Sequence, residues 1–304
     1  MSRPTNVCNP NVDAMPVDVL YHLGLSTESM DVKKAFGDVK FVIMGGSHKR
    51  MQKIAEIILK EFKVVLPVGT GLSNISWTTD RYVMYKVGPI ISVSHGMGVP
   101  SISICLHEMA KLLHHAGATD VHFVRVGTCG GIGLKPGSVV ITTSCMDCAF
   151  NDFFQLKVMG KVVKRPAELD EDFVHGLVET AKEMKLDFDV VVGKTMCADD
   201  FYEEQGRLDG AICDYTEKEK MAFLQKAYDL GVRNLEMESL GFAAFCQRLQ
   251  IKAAVICATM VNRLESDQIS TPVETMHAWQ ERPLAILMAY MKKVLNISES
   301  PLSC

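Results

Sequence analysis

Apolar runs alternate with helix-like patterns along most of the chain. Val39–Met44 has the composition of a buried strand, and in the segment 50–62 that follows, apolar residues recur every three or four positions, which predicts an amphipathic helix. Two further apolar runs, 82–87 and 90–93, are separated only by a Gly-Pro pair and predict a hairpin. The start of the chain therefore predicts both strands and helices.

The same alternation continues to the end of the chain. The remaining predicted strands are 121–126, 138–143, 190–192 and 253–259, and the remaining predicted helices are 101–115, 169–184, 216–230, 239–249 and 275–295. Gly127–Gly133 predicts a turn after the strand that precedes it. Strands separated by helices indicate an α/β fold whose sheet is mostly parallel and covered on both faces. We expect a single domain over residues 1–304, with loosely ordered ends at 1–16 and 298–304.

Composition and charge narrow the class of partner. The formal net charge is −4 and the basic residues are scattered, so nothing indicates binding to nucleic acid. No stretch reaches the roughly 18–20 apolar residues that span a bilayer. The first residues lack the apolar core of a signal peptide, so the ten cysteines are interpreted as reduced thiols of a cytoplasmic protein. We expect no membrane association.

Three arginines stand beside features that suit an anion. Gly46 and Arg50 flank the passage from a strand into a helix, where backbone N–H groups and the helix dipole favour phosphate. Arg125 lies on a predicted strand that leads to Thr128, and Arg81 begins another strand. Each site also has a simpler explanation: Arg50 as an exposed helix residue, Arg81 as a residue paired near Asp80, and the glycines as turns of the chain. The spacing matches neither a dinucleotide-binding loop nor a P-loop.

The segment Phe201–Arg207 combines an aromatic ring, a side-chain amide and a guanidinium group. The amide of Gln205 both donates and accepts hydrogen bonds, whereas the guanidinium of Arg207 only donates. The edge of uracil offers the matching set, two carbonyl acceptors beside one N–H donor. A Gln-x-Arg pair alone is most often solvated surface, so this interpretation depends on the other candidate residues.

Glu236, Met237 and Glu238 lie at the junction of a short strand and a helix. In extended backbone the two carboxylates project to the same side, where they can accept hydrogen bonds from the vicinal hydroxyls of a sugar. Met237 adds a soft apolar surface. The alternative is that both acids simply favour the N-terminus of the helix.

These segments resemble the nucleoside phosphorylase family, in particular its animal uridine phosphorylases. The run Ser94-x-Gly-Met-Gly-x-Pro-Ser-x-Ser-Ile-x-x-x-Glu-Met109 is similar to the family signature, which normally ends in Leu. The resemblance extends from about Asn11 to Leu295 and includes the blocks 36–41, 80–89, 201–210 and 262–269. It implies a three-layer α/β/α fold with a mixed central sheet.

The resemblance also implies a role for each candidate residue. Phosphate would be bound by Gly46, Arg50, Arg125 and Thr128, and by Arg81 of a neighbouring subunit; uracil by Phe201, Gln205, Arg207 and Ile269; ribose by Glu236, Met237, Glu238 and the neighbour's His22. Arg263 would support Gln205 and Arg207 from behind. Arg207, Gln205 and Arg81 would take part in the chemical step. Because Arg81 and His22 would act in trans, a homodimer is expected.

The implied reaction is the reversible phosphorolysis of uridine to uracil and ribose 1-phosphate, a step of pyrimidine salvage. It inverts C1′ and needs no metal or organic cofactor. Cys129 stands where a small hydroxyl residue is usual, and Glu204 replaces a Gly beside Gln205. A catalytically silent nucleoside-binding paralogue therefore remains an alternative. Gln205 and Arg207 disfavour a purine nucleoside phosphorylase, and the three phosphate arginines disfavour a nucleoside hydrolase.

Overall fold

The computed structural model describes residues 7, 9–66 and 69–297. Contacts divide the chain into two compact units. Unit 1 comprises residues 1–124, 248–253 and 291–304 where they are described, and unit 2 comprises residues 125–247 and 254–290. The expectation of a single domain stays a prediction.

The described residues form helices and strands that are interspersed along the chain. The helices are α1 (Pro10–Asp13), α2 (Val32–Phe36), α3 (His48–Glu61), α4 (Val99–Ala116), α5 (Glu171–Glu183), α6 (Glu217–Asp229), α7 (Ser239–Arg248) and α8 (Val273–Val294). The strands are β1 (Val19–Leu20), β2 (Leu25–Ser26), β3 (Phe41–Gly45), β4 (Met84–Val87), β5 (Ile90–Ser94), β6 (His122–Gly131), β7 (Val139–Asp147), β8 (Phe153–Val158), β9 (Lys161–Pro166), β10 (Val190–Cys197), β11 (Val232–Glu236) and β12 (Lys252–Asn262).

In unit 1, β5 lies between β3 and β4. It is parallel to β3 and antiparallel to β4, with which it forms the predicted hairpin. Every residue of β3 and β5 is buried, as expected of strands covered on both faces. Helix α3 packs against β4 and β5 through the apolar face that the sequence pattern predicts, including Met51 and Ile58.

In unit 2, the strands follow the order β11, β10, β7, β12, β6. Strand β10 is parallel to both β11 and β7, whereas β12 runs antiparallel to β7. The last residues of β6 also pair antiparallel with β11. Helix α5 packs against β7, and α6 packs against β11. The sheet is thus mixed, which confirms the fold class implied by the resemblance and corrects the expectation of a mostly parallel sheet.

Two local predictions differ from the structure. The turn predicted at Gly127–Gly133 is wrong over residues 127–131, because β6 continues to Gly131; Gly130 and Gly131 pair with Leu235 and Asn234. The hairpin of β8 and β9 was not predicted, since its basic residues give no clear alternation.

The predicted loose ends fall largely outside the described residues. Positions 1–6, 8 and 298–304, which include Cys8 and Cys304, lie there. Residues 10–13 form α1, whose N-terminus is capped by the side chain of Asn9. Among the described residues, no helix is long and apolar enough to cross a membrane.

Candidate active site

The candidate base and sugar residues follow two adjacent parallel strands of unit 2. Strands β10 and β11 are in register at Cys197 and Glu236, and the N–H of Ala198 donates to the carbonyl of Glu236 at 2.8 Å. The loop 198–210 leaves β10 at the point where Met237 and Glu238 leave β11. Carboxyl ends of neighbouring strands are the usual position for a ligand in an open α/β sheet.

A tight turn presents the amide and guanidinium groups. The N–H of Gly206 donates to the carbonyl of Glu203 at 2.9 Å, and Gly206 has a φ of +61°, a conformation that favours glycine. Gln205 and Arg207 on either side of it are buried, at 4% and 9% exposure. The sequence Gln-Gly-Arg therefore has a backbone reason for its central residue.

Arg263 fixes the side chain of Gln205. Its Nη1 donates to Gln205 Oε1 at 3.3 Å, and its Nη2 donates to the Gln205 carbonyl at 2.8 Å. Arg263 is almost fully buried and follows directly after β12. Because a guanidinium group only donates, Oε1 is identified as the oxygen of the amide and Nε2 remains a donor. The resemblance implied that Arg263 supports Gln205 and Arg207; these contacts join it to Gln205, and its role in the site stays a prediction.

Arg207 is held by three neighbours. Its Nε and Nη2 donate to the two carboxylate oxygens of Asp209 at 2.9 and 2.8 Å, and Nη2 also donates to the carbonyl of Asp267 at 2.6 Å. The guanidinium carbon lies 4.5 Å from the centre of the Phe201 ring, within the range of a cation–π interaction. Within the described part of the chain, Nη1 is the guanidinium nitrogen of Arg207 for which no acceptor is recorded.

The two glutamates of the predicted sugar site bind one arginine. Arg125 Nη2 lies 2.9 Å from Glu236 Oε2 and also contacts Glu238 Oε2, while Nη1 donates to Cys257 Sγ at 3.2 Å. Its Nε is buried and has no hydrogen-bond partner among the described residues. A buried donor of this kind is costly unless a ligand or water accepts from it.

Electrostatics agree with this pairing. Burial by itself would lower the pKa of Arg125, yet the carboxylates of Glu236 and Glu238 raise that pKa well above its ordinary value. Burial raises the pKa of Glu236, and the neighbouring Glu238 adds to the increase. Glu236 also accepts from the N–H groups of Glu238 and Ser239, at 3.0 and 2.9 Å. Glu236 thus supports the start of α7, as the second sequence interpretation states, and it also binds Arg125. Its contact with a sugar stays a prediction.

The other candidates of unit 2 lie nearby in sequence but make fewer polar contacts. Thr128 is half-buried on β6, and Met237 is half-buried after β11. Ile269 is 48% exposed. Cys129 is buried and its thiol donates to the carbonyl of Ala258 at 3.5 Å. Glu204 accepts from the N–H of Asp199 at 2.5 Å, so its carboxylate serves the backbone of its own loop.

Four candidates belong to unit 1. Gly46 lies between β3 and α3, and a Cβ placed there would be 2.8 Å from the carbonyl oxygen of Gly96, so only glycine fits. Arg50 is in the first turn of α3, which Ser47 caps. Arg81 is exposed, and its carbonyl lies 3.2 Å from His48 Nε2. His22 Nδ1 lies 2.7 Å from Glu108 Oε1, which fixes the ring.

Several residues of the site were not predicted from the sequence. Asp209, Asp267 and Lys220 form ion pairs with, or next to, Arg207 and Arg263. Tyr215 donates from its hydroxyl to the Arg207 carbonyl at 2.6 Å. Acidic residues are too common for Asp209 and Asp267 to be identified as site residues by type alone. Asp209 could have been considered because it is two residues from Arg207, whereas Asp267 is sixty residues away.

Comparison with known proteins identifies the relatives of this chain. Residues 40–292 match the family model described as the phosphorylase superfamily. The chain is 49% identical to uridine phosphorylase 1 of Mus musculus over 95% of its own length and 92% of the relative's. The chain belongs to the uridine phosphorylase family. This is a family of enzymes in the pentosyltransferase class, in agreement with the resemblance seen in the sequence.

Solved structures of this family have the same fold. A uridine phosphorylase of Schistosoma mansoni, crystallised in complex with thymidine, matches with a TM-score of 0.91 and 41% identity, covering 96% of this chain and 99% of that one. The uridine phosphorylase family also includes a member named as inactive, uridine phosphorylase B of Schistosoma mansoni, which is 39% identical over 96% of this chain and 98% of its own length. Family membership therefore leaves catalytic competence to be argued from the residues.

Proposed function

We propose that this protein catalyses the phosphorolysis of uridine, forming uracil and ribose 1-phosphate with inversion at C1′. The observation that carries the proposal is the fixed, buried pair of Gln205 and Arg207 in the loop that follows β10, while Glu238 follows the adjacent parallel strand β11. The pair offers donors for the two carbonyls of uracil and an acceptor for its N3–H group. The family relationship supports the same substrate.

The base residues stabilise the leaving group. Expelling uracil places negative charge on the ring nitrogen and both carbonyl oxygens. Arg207 Nη1 and Gln205 Nε2 donate to this charge as it develops, so they bind the transition state more tightly than the ground state. Arg263 and Asp209 hold these donors in place before the reaction, which removes the cost of reorienting them.

The sugar and phosphate residues act on the other half of the substrate. Glu238 accepts from ribose hydroxyls, and Met237 packs against the sugar. The buried Nε of Arg125 supplies a donor to phosphate. The resemblance assigns Gly46, Arg50 and Thr128 to the same ligand and Arg81 to the neighbouring copy. Phosphate attacks C1′ directly, so the reaction as written balances with no covalent enzyme intermediate, no metal and no organic cofactor.

The central experiment follows the absorbance of uridine with and without phosphate. Phosphate-dependent release of uracil is expected, together with loss of activity in Arg207→Ala. Release that ignores phosphate would contradict phosphorolysis, and equal activity on inosine would contradict the choice of pyrimidine. Binding of uridine without phosphate-dependent release of uracil would instead establish a catalytically silent paralogue. The 39% identical relative named as inactive makes this alternative worth testing.

We further propose a homodimer with shared active sites, located in the cytoplasm and without a nucleic-acid partner. If Arg81 acts in trans, a mixture of Arg81→Ala and Arg207→Ala subunits regains activity, because a mixed dimer contains one site with both arginines. Random exchange restores about a quarter of the sites. A mixture as inactive as its components would place Arg81 and Arg207 in the same subunit's site.

A further inference from the structure

Asp267 contacts both parts of the segment that would recognise the base. Its Oδ1 accepts from Arg263 Nε and lies 2.9 Å from Arg263 Nη2, while its Oδ2 accepts from the N–H of Leu208 at 3.0 Å. Its main-chain carbonyl accepts from Arg207. One residue therefore touches the group that orients Gln205 and also the side chain of Arg207.

A second cation shares the same carboxylate. Lys220 of α6 donates from Nζ to Asp267 Oδ1 at 2.8 Å, and both side chains are more than nine-tenths buried. The two cations repel each other, and an ionised carboxylate between them offsets this repulsion. Burial would raise the pKa of Asp267, but the Leu208 N–H, Lys220 and Arg263 together hold it below its usual value, so the carboxylate is ionised at neutral pH.

The arrangement has few ways to compensate for loss of that charge. Arg263 is 1% exposed and packs against Gly130, where a Cβ would lie 2.8 Å from Arg263 Cγ. The Cγ and Cδ atoms of Arg263 lie against Gly130 of β6, which limits the movement of the side chain in that direction. Without the carboxylate, Arg263 would be repelled from Lys220 and would lose the position in which it holds Gln205.

We propose that Asp267 is a positioning residue for base recognition, acting through Arg263 on Gln205 and through its carbonyl on Arg207. This proposal rests on the proposed function. Its role is electrostatic: the negative charge of the carboxylate offsets the positive charge of Lys220. Arg263, a second buried cation, can therefore remain beside the amide of Gln205 that would bind uracil. The hydrogen bonds that the structure describes for Asp267 join it to Arg207, Leu208, Lys220 and Arg263, which are not among the proposed sugar and phosphate residues.

The test is Asp267→Asn, a substitution that keeps the shape of the side chain and removes its charge. The reverse reaction separates the two ligands, because uracil and ribose 1-phosphate have their own KM values. We expect KM for uracil to rise at least about 10-fold and kcat/KM for uridine to fall about 100-fold, the range expected for loss of charged hydrogen bonds. KM for ribose 1-phosphate and for phosphate should stay within about twofold.

The double variant Lys220→Met with Asp267→Asn serves as the rescue. It removes the buried cation along with the carboxylate, and such paired replacements are often tolerated. We expect it to recover at least about fivefold of the lost kcat/KM for uridine. If Asp267→Asn does not fold, the same KM values are measured on the double variant, which is then expected to retain a raised KM for uracil.

Asp229→Asn is the matched control, since Asp229 ends the same helix as Lys220, is exposed, and accepts a hydrogen bond from the exposed Gln225. A parallel rise in the KM of uracil and ribose 1-phosphate, or wild-type values in the variants, would overturn the proposal. Absence of phosphate-dependent activity in the wild-type protein would instead contradict the proposed function itself.

Discussion

Asp209 binds the guanidinium group of Arg207 through two hydrogen bonds, from Nε to Oδ1 at 2.9 Å and from Nη2 to Oδ2 at 2.8 Å. Such a fork-to-fork pair fixes the plane of the guanidinium as well as its position. Arg207 lies between this carboxylate and the Phe201 ring, so its remaining donor, Nη1, has a defined direction. The pair arises within three residues of sequence and is therefore part of the same loop.

The first prediction concerns Asp209→Ala. Removing the carboxylate leaves Arg207 free to rotate, so kcat/KM for uridine should fall about 10- to 100-fold, as charged hydrogen bonds of this kind contribute. Steady-state kinetics on uridine would measure the loss. Asp214→Ala is the control, because Asp214 is exposed and lies in the same region. Wild-type kcat/KM in Asp209→Ala would show that Phe201 and the Asp267 carbonyl suffice to hold Arg207.

The sequence predicted the strands and helices better than the contacts of the site. Regular apolar spacing located β3, α3 and the hairpin of β4 and β5, because burial selects those positions directly. Gln205, Arg207 and Glu238 were selected as candidates because their chemistry matches one substrate. Asp267 and Lys220 were not, since a buried ion pair between a loop and a helix depends on tertiary contact, which leaves no periodic pattern.

Glycines illustrate the same limit. The glycine-rich segment after Arg125 predicts a turn, yet Gly130 and Gly131 are paired in β6. The glycines are explained there by close packing: a Cβ on Gly130 would meet Arg263, and one on Gly131 would lie 3.1 Å from Leu134 and Thr259. The sequence shows that a glycine is present, whereas only the folded structure shows which neighbouring residue leaves no room for a side chain there.

The second prediction separates the two glutamates. Glu238→Gln keeps the shape but weakens acceptance from ribose hydroxyls, so the preference for uridine over deoxyuridine should narrow about 10-fold. Glu236→Gln, which disturbs the N–H groups of Glu238 and Ser239, should lower activity on both substrates alike. The ratio of kcat/KM values for the two nucleosides is the measurement. An unchanged ratio in Glu238→Gln would remove Glu238 from the sugar site.

The third prediction is that Gly130→Ala weakens binding of the base indirectly, by displacing Arg263. The new Cβ would be 2.8 Å from Arg263 Cγ and 3.1 Å from Cδ, and Arg263 is held by Asp267 and Gln205. We expect a loss of about 1–3 kcal/mol in stability, typical of overpacking, and a raised KM for uracil. Thermal unfolding and reverse-reaction kinetics measure both. Gly71→Ala, with open space around it, is the control and should behave as wild type.

The fourth prediction concerns the acid stability of unit 1. Asp18 is buried and binds Lys111 Nζ at 2.6 Å and His115 Nε2 at 2.8 Å. Burial would raise the pKa of Asp18, but these partners hold it below 3.8. A carboxylate with a depressed pKa stabilises the fold above its unfolded pKa of about 3.9, and this stabilisation is lost as pH falls through the folded value.

Asp18→Asn should therefore lower the melting temperature at pH 7, by an amount equivalent to roughly 2 kcal/mol. The difference from wild type should shrink as the pH falls below 4, where Asp18 itself becomes protonated. Melting curves of both proteins between pH 3 and pH 7 would show this convergence. Asp120→Asn is the control, because Asp120 is an exposed acid of unit 1 that caps no helix. A constant gap between Asp18→Asn and wild type across the whole pH range would contradict the role of Asp18.

The last prediction is that cytidine is rejected. Cytosine has an amino group where uracil has a carbonyl, and an unprotonated N3 where uracil has N–H. The amino group would face the donors of Arg207, and N3 would face Gln205 Oε1, whose identity as the oxygen is fixed by the donor Arg263. Two mismatched buried contacts should lower kcat/KM for cytidine relative to uridine by at least about 1,000-fold. Measurable cytidine phosphorolysis within tenfold of the uridine rate would mean that the amide of Gln205 is free to flip, and that Arg263 does not hold it.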